Sequence, residues 1–545
     1  MKLVLAQVGV IFLLCLSCRR RGARVGRAST TTPDLIRRAP AGTLRSRLCA
    51  SRLLTGALLL GGFALTASVT DASPAQFQRP NFIIILADDL GYGDLGGAWG
   101  GTANTPHLDR LAREGLRFTD FHANGAMCTP TRAALLTGRY PQRMGFERAF
   151  AKPGRDWRGL AEPGMNEITV ATYLRQTGYA TGIFGKWHLG KHPSANPLRF
   201  GFDEFRGLTD GDGDYFTKLD RFGGADWFHD EQLAFSPGYS THVTTADAVS
   251  FIHRHRDRPF FLYVPYLAVH FPWQTPDDAS SELRQLGQDF TSGKPGPRSK
   301  LGPHQPHEIP AIMQRMILEL DRGVGAIVDA LHKSGLARNT FVFFTSDNGA
   351  YSYYMDPDYV DPAATVMPDP DWPQVGSNGP LRGQKTQLWE GGHRVPAIAW
   401  WPGKIAPGGV THETVMTMDI LPTVLDLLGL PFPARDGPNR IDGVSLQSLV
   451  LSGQPLPRRT LFWRAPTQKA VREGPWKLVN DQLYNLVDDI GESRDVADDY
   501  PALLTRLRER LATWENEVAR PDRPRKEESP LMDSKAGAAA GTKSP

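Results

Sequence analysis

Cys128 stands in the stretch Gly125-Ala126-Met127-Cys128-Thr129-Pro130-Thr131-Arg132, ahead of the apolar Ala133-Ala134-Leu135-Leu136 and the break Thr137-Gly138-Arg139. Proline suits the first turn of a helix, where its missing N–H costs nothing, so Pro130 places Cys128 just at a helix's positive end. Free backbone N–H groups and the helix dipole favour an anion at that end. Arg132 follows one turn on along the same face and adds a permanent cation. A lone cysteine is ordinarily a small buried hydrophobe. The pattern Cys-x-Pro-x-Arg acquires chemical meaning only when other reactive groups gather around it.

Such groups recur at the ends of apolar runs. Phe82-Ile83-Ile84-Ile85-Leu86 leads into Asp88-Asp89, two adjacent carboxylates that repel unless a cation sits between them. Tyr179 to Phe184 leads into Gly185-Lys186-Trp187-His188, where an extended segment would turn Lys186 and His188 the same way. Phe260 to Val264 precedes His270, and Thr340 to Thr345 precedes Ser346-Asp347-Asn348-Gly349. Turn aspartates, a solvated lysine and a satisfied histidine explain each of these singly. Together they suggest one crevice beyond the carboxyl ends of parallel strands, the usual ligand position in open α/β sheets. Asp88, Asp89, Asp347 and Asn348 offer only oxygen ligands, which suits a hard cation, Ca2+ before Mg2+, and argues against zinc.

The elements that must position these groups alternate from Asn81 onward. Continuous apolar runs read as central buried strands, and helical patterns are expected over Asn104–Gly115, Ile168–Gly178, Thr244–His255 and Ile312–Ser334. The pattern predicts an α/β fold with a large, mostly parallel sheet sandwiched by helices. After a boundary near Gly429–Gly443, the short runs around Phe462, Val471 and Leu478 predict a smaller antiparallel sheet, and Pro501–Val518 an amphipathic helix. Residues 287–310 read as a surface excursion and 351–380 as a long functional loop. Aromatic residues at 215, 216, 227, 228, 351, 353, 354 and 372 would stack on sugar rings or fill loop cores. No internal repeat is present.

The quoted motifs, in identity and order, resemble the sulfatase family over roughly residues 80–515. They are Asp88-Asp89, Cys-Thr-Pro-Thr-Arg at 128–132, Gly-Lys-Trp-His at 185–188, His270, Ser-Asp-Asn-Gly at 346–349, and Lys385 with Glu-Gly-Gly-His-Arg at 390–394. The likeness is to its arylsulfatase A and N-acetylgalactosamine-6-sulfatase branch, of alkaline phosphatase-like fold, and His270-Phe-Pro-Trp-Gln274 is similar to carbohydrate-directed members. One departure is Lys385-Thr386-Gln387, where the family usually has Lys-Gly-Thr. The resemblance implies that Cys128 is oxidised to formylglycine by a maturation enzyme. It also implies one Ca2+ held by Asp88, Asp89, Asp347, Asn348 and the modified residue 128. By the same likeness Arg132, Lys186 and Lys385 meet the sulfate of a small molecule or glycan, and one hydroxyl of the aldehyde hydrate attacks sulfur. His270, or Lys385 beside it, protonates the leaving oxygen, and His188 deprotonates the second hydroxyl, which expels sulfate. Phosphate or phosphonate ester hydrolases of the same architecture, and a glycan binder without catalysis, are the rival readings. The first wants a second metal site, and the second would be expected to have lost a motif residue.

The chain of 545 residues is 41% hydrophobic and 22% charged, ordinary for a globular protein. Its net charge of +4 comes from the leader: the first 72 residues hold 11 Lys/Arg against 2 Asp/Glu, and the rest carry a net of −5. That balance gives no reason to expect nucleic acid as a partner. Apolar runs at Leu3–Leu16 and Leu53–Val69, the second flanked by Arg45, Arg47 and Arg52 before and small residues after, predict a leader over 1–75 with a signal peptide. The protein is then exported, periplasmic or secreted, with membrane contact only through an uncleaved N-terminal segment. Three of the four cysteines lie in this leader, so its removal leaves Cys128 as the sole thiol. The expected organisation is completed by a catalytic domain over 80–430, a subdomain over 440–518 and a disordered tail over 519–545.

Overall fold

The apolar runs become strands because both faces of their sheet are covered, so alternate side chains feed two separate cores. In the strand Asn81–Ala87, Ile83, Ile85 and Ala87 enter one core while Phe82, Ile84 and Leu86 enter the other. The computed structural model describes residues 79–150, 154–278, 304, 306–352, 375–434 and 436–519. The expected leader and nearly all of the expected tail lie outside these residues, as do most of 287–310 and of 351–380.

Five parallel strands form the middle of a ten-stranded sheet, in the order Thr340–Ser346, Asn81–Ala87, Phe260–Pro265, Ala180–Lys186 and Glu204–Leu208. Ile84 pairs with Tyr263 on one side and with Phe343 on the other, which fixes the register at the centre. The strand Ala397–Trp400 runs antiparallel beside Thr340–Ser346, so the sheet is mixed at its margins. One face is covered by the helices Pro106–Glu114, Ser240–Arg254 and Ile309–Lys333, through residues such as Leu108, Phe251 and Leu320. The other is covered by Cys128–Thr137, Val170–Gln176 and Ile420–Leu427, through Leu135, Leu174 and Leu421. The observed helices keep the expected places with ends shifted by a few residues, as fraying caps allow.

A separate four-stranded antiparallel sheet follows, from Thr460–Arg464, Lys469–Glu473, Trp476–Val479 and Gln482–Asn485. The helix Pro501–Glu517 lays Leu507, Leu511 and Trp514 into a third core with Leu461, Trp463 and Leu478. Among the described residues no helix is long and apolar enough to cross a membrane.

Candidate active site

The carboxyl ends of the parallel strands deliver the reactive side chains to one place. Asp88 and Asp89 follow Ala87, Lys186 is the last residue of its strand, Asp347 and Asn348 follow Ser346, and His270 lies just beyond Pro265. Opposite them the helix Cys128–Thr137 begins at Cys128, with Pro130 in its first turn, and ends at Gly138, whose left-handed φ of 70° lets its N–H bond to the Ala134 carbonyl. Lys385 is brought in by a loop pinned through Lys385 N to the Ala350 carbonyl at 3.1 Å and Thr386 N to the Ala126 carbonyl at 2.8 Å.

Three cations and three carboxylates interlock there, all buried. Arg132 donates from Nε to Asp347 Oδ2 at 2.9 Å and from Nη1 to the Lys186 carbonyl at 2.7 Å, and its Nη2 lies 2.8 Å from Asp347 Oδ2 and 3.3 Å from Asp88 Oδ2. Lys186 pairs with Asp88, and Lys385 Nζ stands 2.7 Å from Asp89 Oδ1. The Cys128 thiol reaches Asp88 Oδ1 at 3.4 Å. Asp88, Asp89, Cys128 and His270 each offer a ligand atom, all within 4.8 Å of one another. Asp347 adjoins this group through Oδ1, which accepts from Asp89 N at 3.3 Å. Asn348 donates from Nδ2 to Asp89 Oδ1 at 2.8 Å, while its Oδ1 is buried with no partner among the described residues. An orphaned amide oxygen beside crowded carboxylates fits a hard cation.

The electrostatics follow from burial and crowding. Burial, with Asp347 nearby, raises the Asp88 carboxyl to about 7 against the pull of Lys186 and Arg132. Burial also raises Asp347, but Arg132, Lys186 and Lys385 outweigh it and hold that carboxyl below its ordinary value. The Cys128 thiol is pushed far up by burial and by Asp347 and Asp88, so the unmodified side chain is a poor nucleophile. Burial and the neighbouring lysines push both His270 and His188 well below their ordinary value, which keeps the imidazoles neutral. His270 Nδ1 lies 2.7 Å from the Phe271 carbonyl and its Nε2 lies 3.6 Å from Asp89. His188 Nε2 lies 2.8 Å from the Phe150 carbonyl, and its Nδ1 is buried without a partner among the described residues.

Thus Asp88, Asp89, Cys128, Arg132, Lys186, His270, Asp347, Asn348 and Lys385 come together, and His188 lies at their edge. The extended geometry expected to align Lys186 with His188 stops at the strand end, because His188 takes a left-handed φ of 54°. Of the aromatic residues, Tyr215, Trp227 and Phe228 are core, whereas Tyr351 sits with its ring 5.0 Å from Lys385 Nζ. Residues 353, 354 and 372 lie outside the described residues. Sequence reasoning missed the task of Glu390 and His393. Glu390 pairs with Lys477 at 2.9 Å, His393 meets His122 at 3.0 Å, and Arg472 pairs with Asp120 at 2.7 Å, in one buried network that fastens the small sheet beside the Lys385 loop. The cluster His122, Glu390 and His393 thereby already has its cations. Spacing alone carried no signal for these partners, which lie 80 or more residues apart in the chain.

A family model described as Sulfatase matches residues 80–430. N-acetylgalactosamine-6-sulfatase of Mus musculus is 35% identical over 73% of this chain and 72% of its own length. Arylsulfatase A of Bos taurus is 36% identical over 75% and 74%. A crystal structure of Ps i-CgsB in complex with k-i-k-neocarrahexaose superposes with a TM-score of 0.67 at 28% identity, covering 82% of this chain and 94% of that one. With the strand-end carboxylates, the buried Cys-x-Pro-x-Arg helix and these relatives in agreement, the chain belongs to the sulfatase family of enzymes.

Proposed function

We propose that the chain hydrolyses sulfate monoesters, of sulfated carbohydrates or aryl alcohols, with residue 128 as formylglycine and one Ca2+ held by Asp88, Asp89, Asp347, Asn348 and residue 128. The observation that carries this reading is the burial of three cations and three carboxylates around one cysteine at a helix start, its sulfur 3.4 Å from Asp88 Oδ1. When present, the aldehyde hydrate supplies the attacking hydroxyl and the metal offsets charge on the sulfate oxygens.

The remaining tasks fall to side chains in place. Lys186 and Lys385 face the sulfate oxygens and stabilise charge that builds there. Arg132 orients residue 128 and is itself held by Asp347 and the Lys186 carbonyl. His270 keeps one proton on Nδ1 toward the Phe271 carbonyl, leaving Nε2 to face the site. Burial and the lysine charges disfavour imidazolium, so His270 serves as the acid toward the leaving oxygen only after Nε2 has taken up a proton. Lys385, kept protonated by Asp89 against the effect of burial, is the second donor beside it. His188, with Nε2 engaged by the Phe150 carbonyl, has Nδ1 as the lone pair that accepts the proton released later.

Relatives named N-acetylgalactosamine-6-sulfatase and a neighbour solved in complex with k-i-k-neocarrahexaose support a sulfated glycan as substrate. The basic, apolar, then small-residue leader supports export to the periplasm or beyond, and residues 80–430 and 440–518 are read as catalytic domain and subdomain. Two measurements test the proposal. The mass of the tryptic peptide Phe118 to Arg132 from active protein should show an aldehyde in place of the thiol. Turnover of aryl sulfate should exceed that of aryl phosphate and aryl phosphodiester. A preference for either phosphorus ester would favour the hydrolase rival, and glycan binding with no turnover the non-catalytic one.

A further inference from the structure

The segment from Thr209 to Asp226 holds five aspartates, and each is engaged. Asp226 Oδ2 accepts from Thr209 N at 3.0 Å and Asp210 N at 2.7 Å. Asp220 Oδ1 accepts from Phe222 N at 2.9 Å and Gly224 N at 2.8 Å. Asp214 takes the Gln274 amide at 2.7 Å. Lys191 Nζ bridges Asp210 at 2.5 Å and Asp220 at 2.7 Å. Gly211 packs so closely on His188 that a Cβ there would come within 2.6 Å of the imidazole. The loop is therefore built rigidly against the active site rather than draped over it.

What this scaffold holds is Arg221. Its Nε donates to Asp212 Oδ1 at 3.0 Å and its Nη2 pairs with Asp212 Oδ2. Asp212 is hidden, with 2% of its side chain exposed, whereas 29% of Arg221 is open to solvent. Among the described residues Nη1 has no hydrogen-bond partner. A guanidinium binds carboxylates along two edges, so Asp212 fixes one edge and leaves the other presented. The guanidinium itself lies beside the reaction centre. The guanidinium carbon lies 5.6 Å from the Phe271 ring, which adjoins the His270 ring at 4.1 Å and the Tyr351 ring at 6.4 Å. Tyr351 in turn covers Lys385.

We propose that Arg221, framed by Phe271 and Tyr351, is a specificity residue that binds a second anionic group, a carboxylate or a further sulfate, on the sugar whose sulfate ester is cleaved. This rests on the sulfate ester hydrolysis proposed above. A lysine in this place would satisfy Asp212 with its only charge centre, and an arginine serves both partners.

The test compares kcat/KM for neutral monosaccharide monosulfates, disulfated monosaccharides and uronate-bearing sulfated disaccharides, with an aryl sulfate as reference. Wild-type protein should prefer dianionic sugars. Arg221→Gln alone would leave Asp212 buried and unpaired, so it is paired with Asp212→Asn, and melting temperature verifies that the double variant is folded. The ratio of dianionic to monoanionic kcat/KM should fall about tenfold or more, the scale of one charge-assisted hydrogen bond, mainly through KM. Arg221→Lys, whose single ammonium is taken by Asp212, should lower the ratio nearly as far. An unchanged ratio in the folded double variant, or a wild-type preference for neutral sugars, overturns the subsite while leaving sulfate ester hydrolysis intact. Absence of turnover on every sulfate ester, the aryl reference included, instead overturns the activity on which the subsite depends.

Discussion

Arg132 donates from Nη1 to the backbone carbonyl of Lys186 at 2.7 Å, while the Lys186 side chain pairs with Asp88. One strand end thus locks two of the three cations to each other and, through Asp347, to the neighbouring strand. The arrangement needs a planar fork, because one ammonium group cannot reach Asp347, Asp88 and a carbonyl together. Arg132→Lys should therefore keep the charge and lose the geometry. Turnover of an aryl sulfate is expected to fall at least ~10²-fold, the scale of losing one preorganised electrostatic stabiliser. Wild-type rates in this variant would remove Arg132 from the mechanism.

Thr386 carries a strain that its neighbours impose. It adopts a φ of 81°, a left-handed conformation that disfavours β-branched residues, and its N–H is held by the Ala126 carbonyl. This is the position where the family usually has glycine, so the departure noted in the sequence has a backbone consequence. Thr386→Gly should relieve about 1–2 kcal/mol of native-state strain, partly offset by about 0.5–1 kcal/mol of extra chain entropy in the unfolded state. Denaturant unfolding should show a small net gain, and a loss of stability would mean that the loop compensates the threonine in full.

The sheet and the site differ in how far the sequence exposes them. Phe82–Leu86 and Thr340–Thr345 are legible as central strands because a strand covered on both faces must be apolar at every position. Asp88, Asp89, Lys186, Asp347 and Asn348 are legible because they stand at the ends of such runs, where topology gathers them, whereas Cys128, Arg132 and Lys385 come from a helix and a loop and are legible only through their motifs. Arg221 is not legible in this way. Its neighbours Asp212, Phe271 and Tyr351 lie on three separate loops, and loops follow no period. The same holds for Lys477 and Glu390, whose buried pairing depends on how the small sheet docks. His188 fails for a local reason, since one left-handed residue ends the alternation that an extended segment would give.

Burial gives the Asp226 carboxyl a raised value of about 7, with Asp210 adding to it against Thr209 and Lys191. A group raised on folding contributes stability that is fully present below its unfolded value and is lost as pH rises through the folded one. Between about pH 4 and pH 7 this carboxyl therefore comes to weigh against the fold. Asp226→Asn keeps an oxygen for the Thr209 and Asp210 N–H groups but does not titrate. Relative to wild type, the variant should gain in melting temperature at pH 8 over its value at pH 5. A difference between the two proteins that stays constant across this range would show that Asp226 is equally charged in folded and unfolded chains.

Cys128→Ser separates two-hydroxyl chemistry from direct attack by water. On the proposed chemistry, one hydroxyl on residue 128 attacks sulfur and a second on the same carbon later expels sulfate. Serine supplies only the first. Its Oγ would occupy the place of a sulfur that lies 3.4 Å from Asp88 Oδ1, with the Arg132, Lys186 and Lys385 charges gathered around the site. Slow attack is then still open to it. The Oγ–S bond forms, the bond between sulfur and the alcohol oxygen breaks, and the serine proton leaves with the alcohol. The resulting serine sulfate has no neighbouring hydroxyl to break its own ester. The variant should release at most one equivalent of alcohol, and intact-mass measurement should find an added SO₃ that persists after substrate is removed. Steady turnover by the serine variant would instead place water, rather than residue 128, at sulfur.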